Sequence, residues 1–244
     1  MKKIDGKQIV LIGTVHGDTR GTLRLFELLK KERPGHVAIE VSPYGLMFRL
    51  RHGRKMNAIL GRRIRRLEKV LGRSLRNLEG ILSIREKIRT PFEYRASIRY
   101  CRNSGSQLHL VDSSELSSVL IRKYWDSMIS TENIGKLINF QDETTNLLFH
   151  GEYLFAQRLL KEVDRAMIDP FISSWGSDLL FMEREAHLEK YLLAIYSRME
   201  SGLLAYVGGW QHLLYPTGFH TLCDRIFHLE PRRILLKPDL FCLP

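Results

Sequence analysis

A chain of 244 residues, 44% apolar and 27% charged, can bury a full core; it fits one large domain or one domain with a sizeable insertion. No apolar run reaches the roughly 18 residues of a membrane span, and the run after Lys2 and Lys3 is too short and interrupted for a secretory signal, so a cytoplasmic protein is expected. The formal net charge of +11 is segregated: residues 49–99 hold 16 Lys and Arg against 4 Asp and Glu, and the remainder holds 22 against 23, which excludes a uniformly basic, nucleic-acid-coating surface.

In chain order, residues 8–15 are β-branched and apolar, a helix is predicted over 19–31, and the apolar stretch HVAIEV at 36–41 reads as a second strand. Strand, helix, strand favours parallel pairing through a crossover. After the basic segment the pattern repeats, with the helix EYRASIRYCRNSG stopping at Gly105 before the strand QLHLVD at 107–112. Helices are predicted through most of 114–200, then the strand LLAYVG, a helix near 217–227 and the strand RRILL. The expected fold is α/β, a mostly parallel central sheet flanked by helices, as one domain over 1–244 with a basic helical insertion at about 49–92.

Two Gly-x-x-His motifs follow apolar strands, Gly13 to His16 and Gly209 to His212. In a parallel sheet, ligands bind beyond the carboxyl ends of the strands. His16, Glu40, Asp112 and His212 all fall at such ends. Two imidazoles and a carboxylate suit Zn²⁺, Mn²⁺ or Co²⁺ with a position left for water. Glycine at each motif would let the backbone turn sharply and approach closely. On spacing alone Glu40 is equally suited to an arginine salt bridge, and Asp112 to capping the helix after it. His109 and His187 read as structural or solvated. Cys101, Cys223 and Cys242 form neither an even set nor a paired metal spacing, which argues against a disulfide framework and a zinc knuckle.

Within the basic segment Leu60, Ile64, Leu67, Leu71, Leu75, Leu78 and Leu82 recur at helical steps, with Arg62, Arg63, Arg65, Arg66 and Arg76 largely on other faces. The stripe needs a docking surface, first of all its own domain as an active-site cover. A membrane surface, an acidic peptide or nucleic acid are the alternatives, and the scarcity of aromatics among the arginines disfavours nucleic acid. Gly61, Gly72 and Gly80 are expected to break or loosen the helix.

As a set, IGTVHGD at 12–18, VAIEVSPYGLMFR at 37–49, EYRASIRYCRNSGSQLHLVD at 93–112, MEREAHL at 182–188 and YVGGWQH at 206–212 resemble the TraB/PrgY/Tiki proteins. Erythromycin-esterase-like and ChaN-like proteins are more distant relatives of that family. The resemblance implies metal-dependent proteolysis of signalling proteins, or the limiting of peptide pheromone activity. It implies His16, Glu40 and His212 as metal ligands, Glu183 as general base or fourth ligand, and Arg184 and Arg49 as oxyanion or carboxylate partners. Where the family commonly has Asp-Arg after its central strand, this chain has Asp112 and Ser113, and the C-terminal hydrophobic membrane region of many microbial members is not found. The leading expectation is a hydrolase, peptidase-like, using a divalent cation (Mn, Co or Zn) on a peptide or protein substrate. The alternatives are a metal-free esterase with a histidine base and a non-catalytic protein that sequesters a peptide or haem. Arg62, Arg63, Arg65 and Arg66 are the candidate contacts to an anionic substrate or a peripheral membrane surface.

Overall fold

The computed structural model describes residues 6–141, 148–161, 179–215 and 220–237. Its centre is a five-stranded sheet in the order β3-β2-β4-β1-β5, every pairing parallel. The strands are β1 (Lys7–Thr14), β2 (His36–Ile39), β3 (Gln107–Leu110), β4 (Gly202–Gly209) and β5 (Arg232–Leu235). The expected α/β class and parallel sheet are thus what the chain adopts. β2 ends two residues before its apolar run does, but Glu40 still donates its N–H to Val207 O at 2.9 Å, which fixes this carboxylate beside β4.

Alternation along the strands sorts the core into two layers. Val10, Ile12, Val37, Ile39, Ala205 and Val207 face helices α1 (Gly21–Glu32) and α4 (Phe92–Ser104), while Ile9, Leu11, Ala38, Leu204 and Tyr206 face the long later helix. As expected, α4 stops at Gly105, whose φ of 76° is the left-handed cap that glycine adopts without a Cβ clash.

A third apolar cluster lies apart from the sheet. It joins Met56, Leu60 and Ile64 of α2 (Pro43–Leu71) and Ile81, Ile84 and Ile88 of α3 (Glu79–Ile88) to Ile121 and Trp125 of α5 (Ser114–Met128) and Ile134 and Ile138 of α6 (Thr131–Gln141). The basic segment therefore docks on its own chain. Its stripe does not run along one continuous helix: α2 ends at Gly72, Leu75 is buried in the turn, and Leu78 precedes α3. Gly61 sits within α2 without interrupting it.

Among the described residues the further helices are α7 (Leu148–Lys161) and α8 (Leu179–Arg198), followed by α9, a single turn at Leu222–Arg225 that Thr221 starts with a capping box. That turn and a 3-10 turn at Phe227–Leu229 stand where a helix over 217–227 is expected; part of that span, like Cys242, lies outside the described residues. Among the described residues no helix is long and apolar enough to cross a membrane.

Candidate active site

β1 and β4 lie side by side in a register that pairs Gly13 with Gly208 and Thr14 with Gly209. The two Gly-x-x-His motifs thus leave one sheet edge together. Close approach, not a left-handed turn, is what these glycines supply, since none of the three has a positive φ. A Cβ on Gly13 would lie 2.9 Å from Leu213 Cδ2 and 3.0 Å from Trp210 Cα, and one on Gly208 would lie 2.5 Å from Glu40 Oε2.

Glu40 occupies the space between the two imidazoles. His16 Nε2 is 3.4 Å from Glu40 Oε2, and His212 Nε2 is 3.0 Å from Oε1. Oε2 also accepts the Gly209 N–H at 2.6 Å and the Tyr206 hydroxyl at 3.4 Å. Each imidazole turns its other nitrogen to an outer carboxylate: His16 Nδ1 is 2.9 Å from Glu93 Oε1 and His212 Nδ1 is 2.5 Å from Glu185 Oε1. Thr14 Oγ1 donates to that same Glu93 oxygen at 3.0 Å, and Glu185 accepts the Leu222 N–H through its other oxygen.

Arg184 closes the cluster from α8. Its Nη2 is 2.8 Å from Glu40 Oε1, and its Nε and Nη2 each donate to Asp112 at 2.8 Å. Asp112 is free for this fork because Ser113, not Asp112, caps α5 by accepting the Leu116 N–H. Arg49, one wall of the site, donates from Nη1 to Gly45 O at 3.0 Å and from Nε to Lys87 O at 3.1 Å.

Not every expected residue arrives here. Glu183 is exposed on α8, and Glu185, wholly buried, stands beside His212 instead. Arg62, Arg65 and Arg66 are exposed on α2, whereas Arg63 donates to Ile129 O at the end of α5 and so ties the helical layer together. Glu93 and Glu185 are the residues of this candidate site that strand-end reasoning misses, because both lie on helices. A helical signal existed for Glu185: it precedes the buried Leu188 and Leu192 by three and seven residues, on the inward face.

Four carboxylates, Glu40, Glu93, Asp112 and Glu185, meet here against the fixed charge of Arg184, with Arg49 beside them. Burial opposes a charge on His212, but Glu185 and Glu40 outweigh it and push its pKa up to about 10. Burial likewise opposes a charge on His16, and Glu40 and Glu93 raise it to about 10; this side chain is 47% exposed, so water screens the pull more than at His212. Burial alone would raise Glu40, yet Arg184 and the two imidazoles hold it well below the usual carboxylate range. Burial, then Glu40 and Glu185, lift the Tyr206 hydroxyl well above its ordinary value. The Arg49 pKa is lowered by burial, against the opposing pull of Glu93 and Asp112.

Among the described residues no group of three or more His, Cys, Asp and Glu side chains stands arranged around one point as metal ligands do. The imidazoles address opposite oxygens of Glu40. One donor is suited to a divalent cation: Glu40 Oε1 is buried between Arg184 and His212 with no aligned hydrogen bond, and the carboxylates of the cluster outnumber the fixed cations.

His16, Glu40, Glu93, Asp112, Arg49 and Arg184 line a hollow of about 240 Å³, with His212 buried behind Glu40. A second hollow of about 570 Å³ adjoins it and shares Arg49, Lys87, Leu120 and Ile121. No protein-family model, curated protein or solved structure matches this chain, so the likeness to the TraB/PrgY/Tiki proteins stands on the motif residues alone.

Proposed function

We propose that the chain is a peptidase-like hydrolase whose His16, His212 and Glu40 hold a divalent cation, Zn²⁺, Mn²⁺ or Co²⁺. One observation carries this reading: both imidazoles turn Nδ1 to an outer carboxylate and Nε2 to the shared Glu40. Histidine ligands are oriented in this way by partners that fix their tautomer and raise their basicity. When bound, such a cation supplies Lewis acidity, polarising a carbonyl and making a water acidic near neutral pH.

The chain's own residues do the rest. Glu93 accepts the proton of His16 Nδ1, Glu185 sets its charge beside His212 Nδ1, and Arg184, anchored to Asp112, keeps Glu40 ionised and in place. Glu93 lines the hollow, and its Oε1 already accepts Thr14 and His16, which leaves Oε2 to take a proton from a water. Arg49 and Arg184 face the hollow where charge develops on a carbonyl oxygen or where a substrate carboxylate would sit.

A second reading, a metal-free hydrolase with the His16–Glu93 pair as general base above the raised pKa of His16, is favoured by the carboxylate that already orients His16 Nδ1 at 2.9 Å. Metal-stripped protein assayed on a peptide library, with and without Mn²⁺, Co²⁺ or Zn²⁺, tests the choice. Turnover only with cation supports the first reading, and undiminished turnover after stripping supports the second.

A further inference from the structure

The larger hollow is built differently from the smaller one. Leu120, Tyr124, Trp125 and Met128 of α5 give it an apolar wall. On α6, Lys136 is paired with Glu132 at 2.6 Å, so the rim on that side is neutralised. The neck it shares with the catalytic hollow is cationic: Lys87 is exposed and has no ion-pair partner among the described residues, and Arg49 stands beside it, 5.7 Å from the Trp125 ring. The Arg49 hydrogen bonds use Nη1 and Nε, leaving Nη2 without a protein acceptor among the described residues.

Resting on the hydrolase reading, we infer that the larger hollow is the subsite for the C-terminal residue of a peptide substrate with a bulky apolar side chain. The side chain fills the space beside Trp125 and Tyr124, the terminal carboxylate is held at the neck by Lys87 and Arg49, and the preceding carbonyl reaches into the hollow of Glu40, His16 and Arg184. Charge and shape select together: a cationic neck takes an anion, the apolar chamber behind it takes a ring or branched chain, and Glu132, the only carboxylate on the far rim among the described residues, is already paired. The reaction at this end is the release of one amino acid. Water supplies hydroxide to the carbonyl carbon and a proton to the departing amine as the C–N bond breaks.

Binding tests the subsite without relying on turnover. Titration of the protein, as purified, with N-acetylphenylalanine, its neutral amide and N-acetylalanine should give the tightest Kd for the first, by about ten-fold or more over each of the others. Lys87→Gln should bring the acid toward the amide while leaving the amide and the Tm unchanged, and Leu120→Asp should weaken both ring compounds. Equal Kd values for acid and amide, equal values for the phenyl and methyl side chains, or no binding of any of the three, would overturn the inference. Peptide turnover that is indifferent to the C-terminal residue would sink the subsite and leave the hydrolase reading standing. The expected Kd pattern without turnover of any peptide would do the reverse.

Discussion

Glu183 and Glu185 sit two residues apart on α8 and have opposite surroundings, one exposed and one wholly buried against His212. Glu185→Gln removes the anion that orients His212 and is expected to weaken cation binding about 10- to 100-fold by calorimetric titration. Glu183→Gln should leave both cation binding and stability within about 0.5 kcal/mol of the parent; the opposite ranking would place the functional carboxylate at 183. Arg184→Met strands Glu40 and Asp112 without their shared cation and should cost about 3–5 kcal/mol in urea unfolding. A loss below about 1 kcal/mol would show that the other neighbours suffice. His16, Glu40, Asp112 and His212 are legible in the sequence because each follows a strand-like apolar run, and the carboxyl end of a parallel sheet is a shared place. Glu93 is not, because its place beside Thr14 and His16 depends on how α4 packs against α1, β2 and β3, which no local pattern encodes.

At the scale of elements, the basic span is structural within and charged without. Ile64 is 1% exposed, so Ile64→Ala should destabilise the protein by about 2–5 kcal/mol through the lost side chain and the cavity left behind. Replacing Arg62, Arg65 and Arg66 together with Gln should change stability by no more than about 0.5 kcal/mol per site and leave cation affinity unaltered. Loss of cation binding in that variant, with circular dichroism unchanged, would mean that α2 helps build the site. The apolar stripe is readable as a helix that needs docking, and its break after Leu71 is readable from Gly72. What covers the stripe is not, since Ile121, Trp125, Ile134 and Ile138 come from helices some 60 to 75 residues downstream whose packing is a tertiary choice.

For the whole molecule, the cluster couples protonation to stability. The His212 pKa rises from an ordinary 6.5 to about 10 in the folded metal-free protein, so its contribution is fully present below about pH 6.5 and is lost as pH climbs through about 10. Glu40 has the opposite sign: it stabilises above its ordinary 4.5 and loses that effect as pH falls through its lowered value. The Tm of metal-stripped protein should therefore fall between pH 6.5 and 10, and His212→Gln should reduce that slope, leaving the smaller, solvent-screened share of His16; an unchanged slope in the variant would remove His212 as a source. The parallel sheet follows from the strand, helix, strand spacing, but its order, with β4 between β2 and β1, brings the three strand ends together, and Glu40 reaches across Gly208 and Gly209 at the end of β4 to both histidines.

The most direct test of the metal-centred reading is calorimetric titration of metal-stripped protein with Mn²⁺, Co²⁺ and Zn²⁺, with His16→Ala and His212→Ala alongside and circular dichroism to confirm their folds. One cation per chain, bound by the parent and lost in each variant, is the expected result. Absence of saturable binding by the parent, or binding that survives both substitutions, would contradict it.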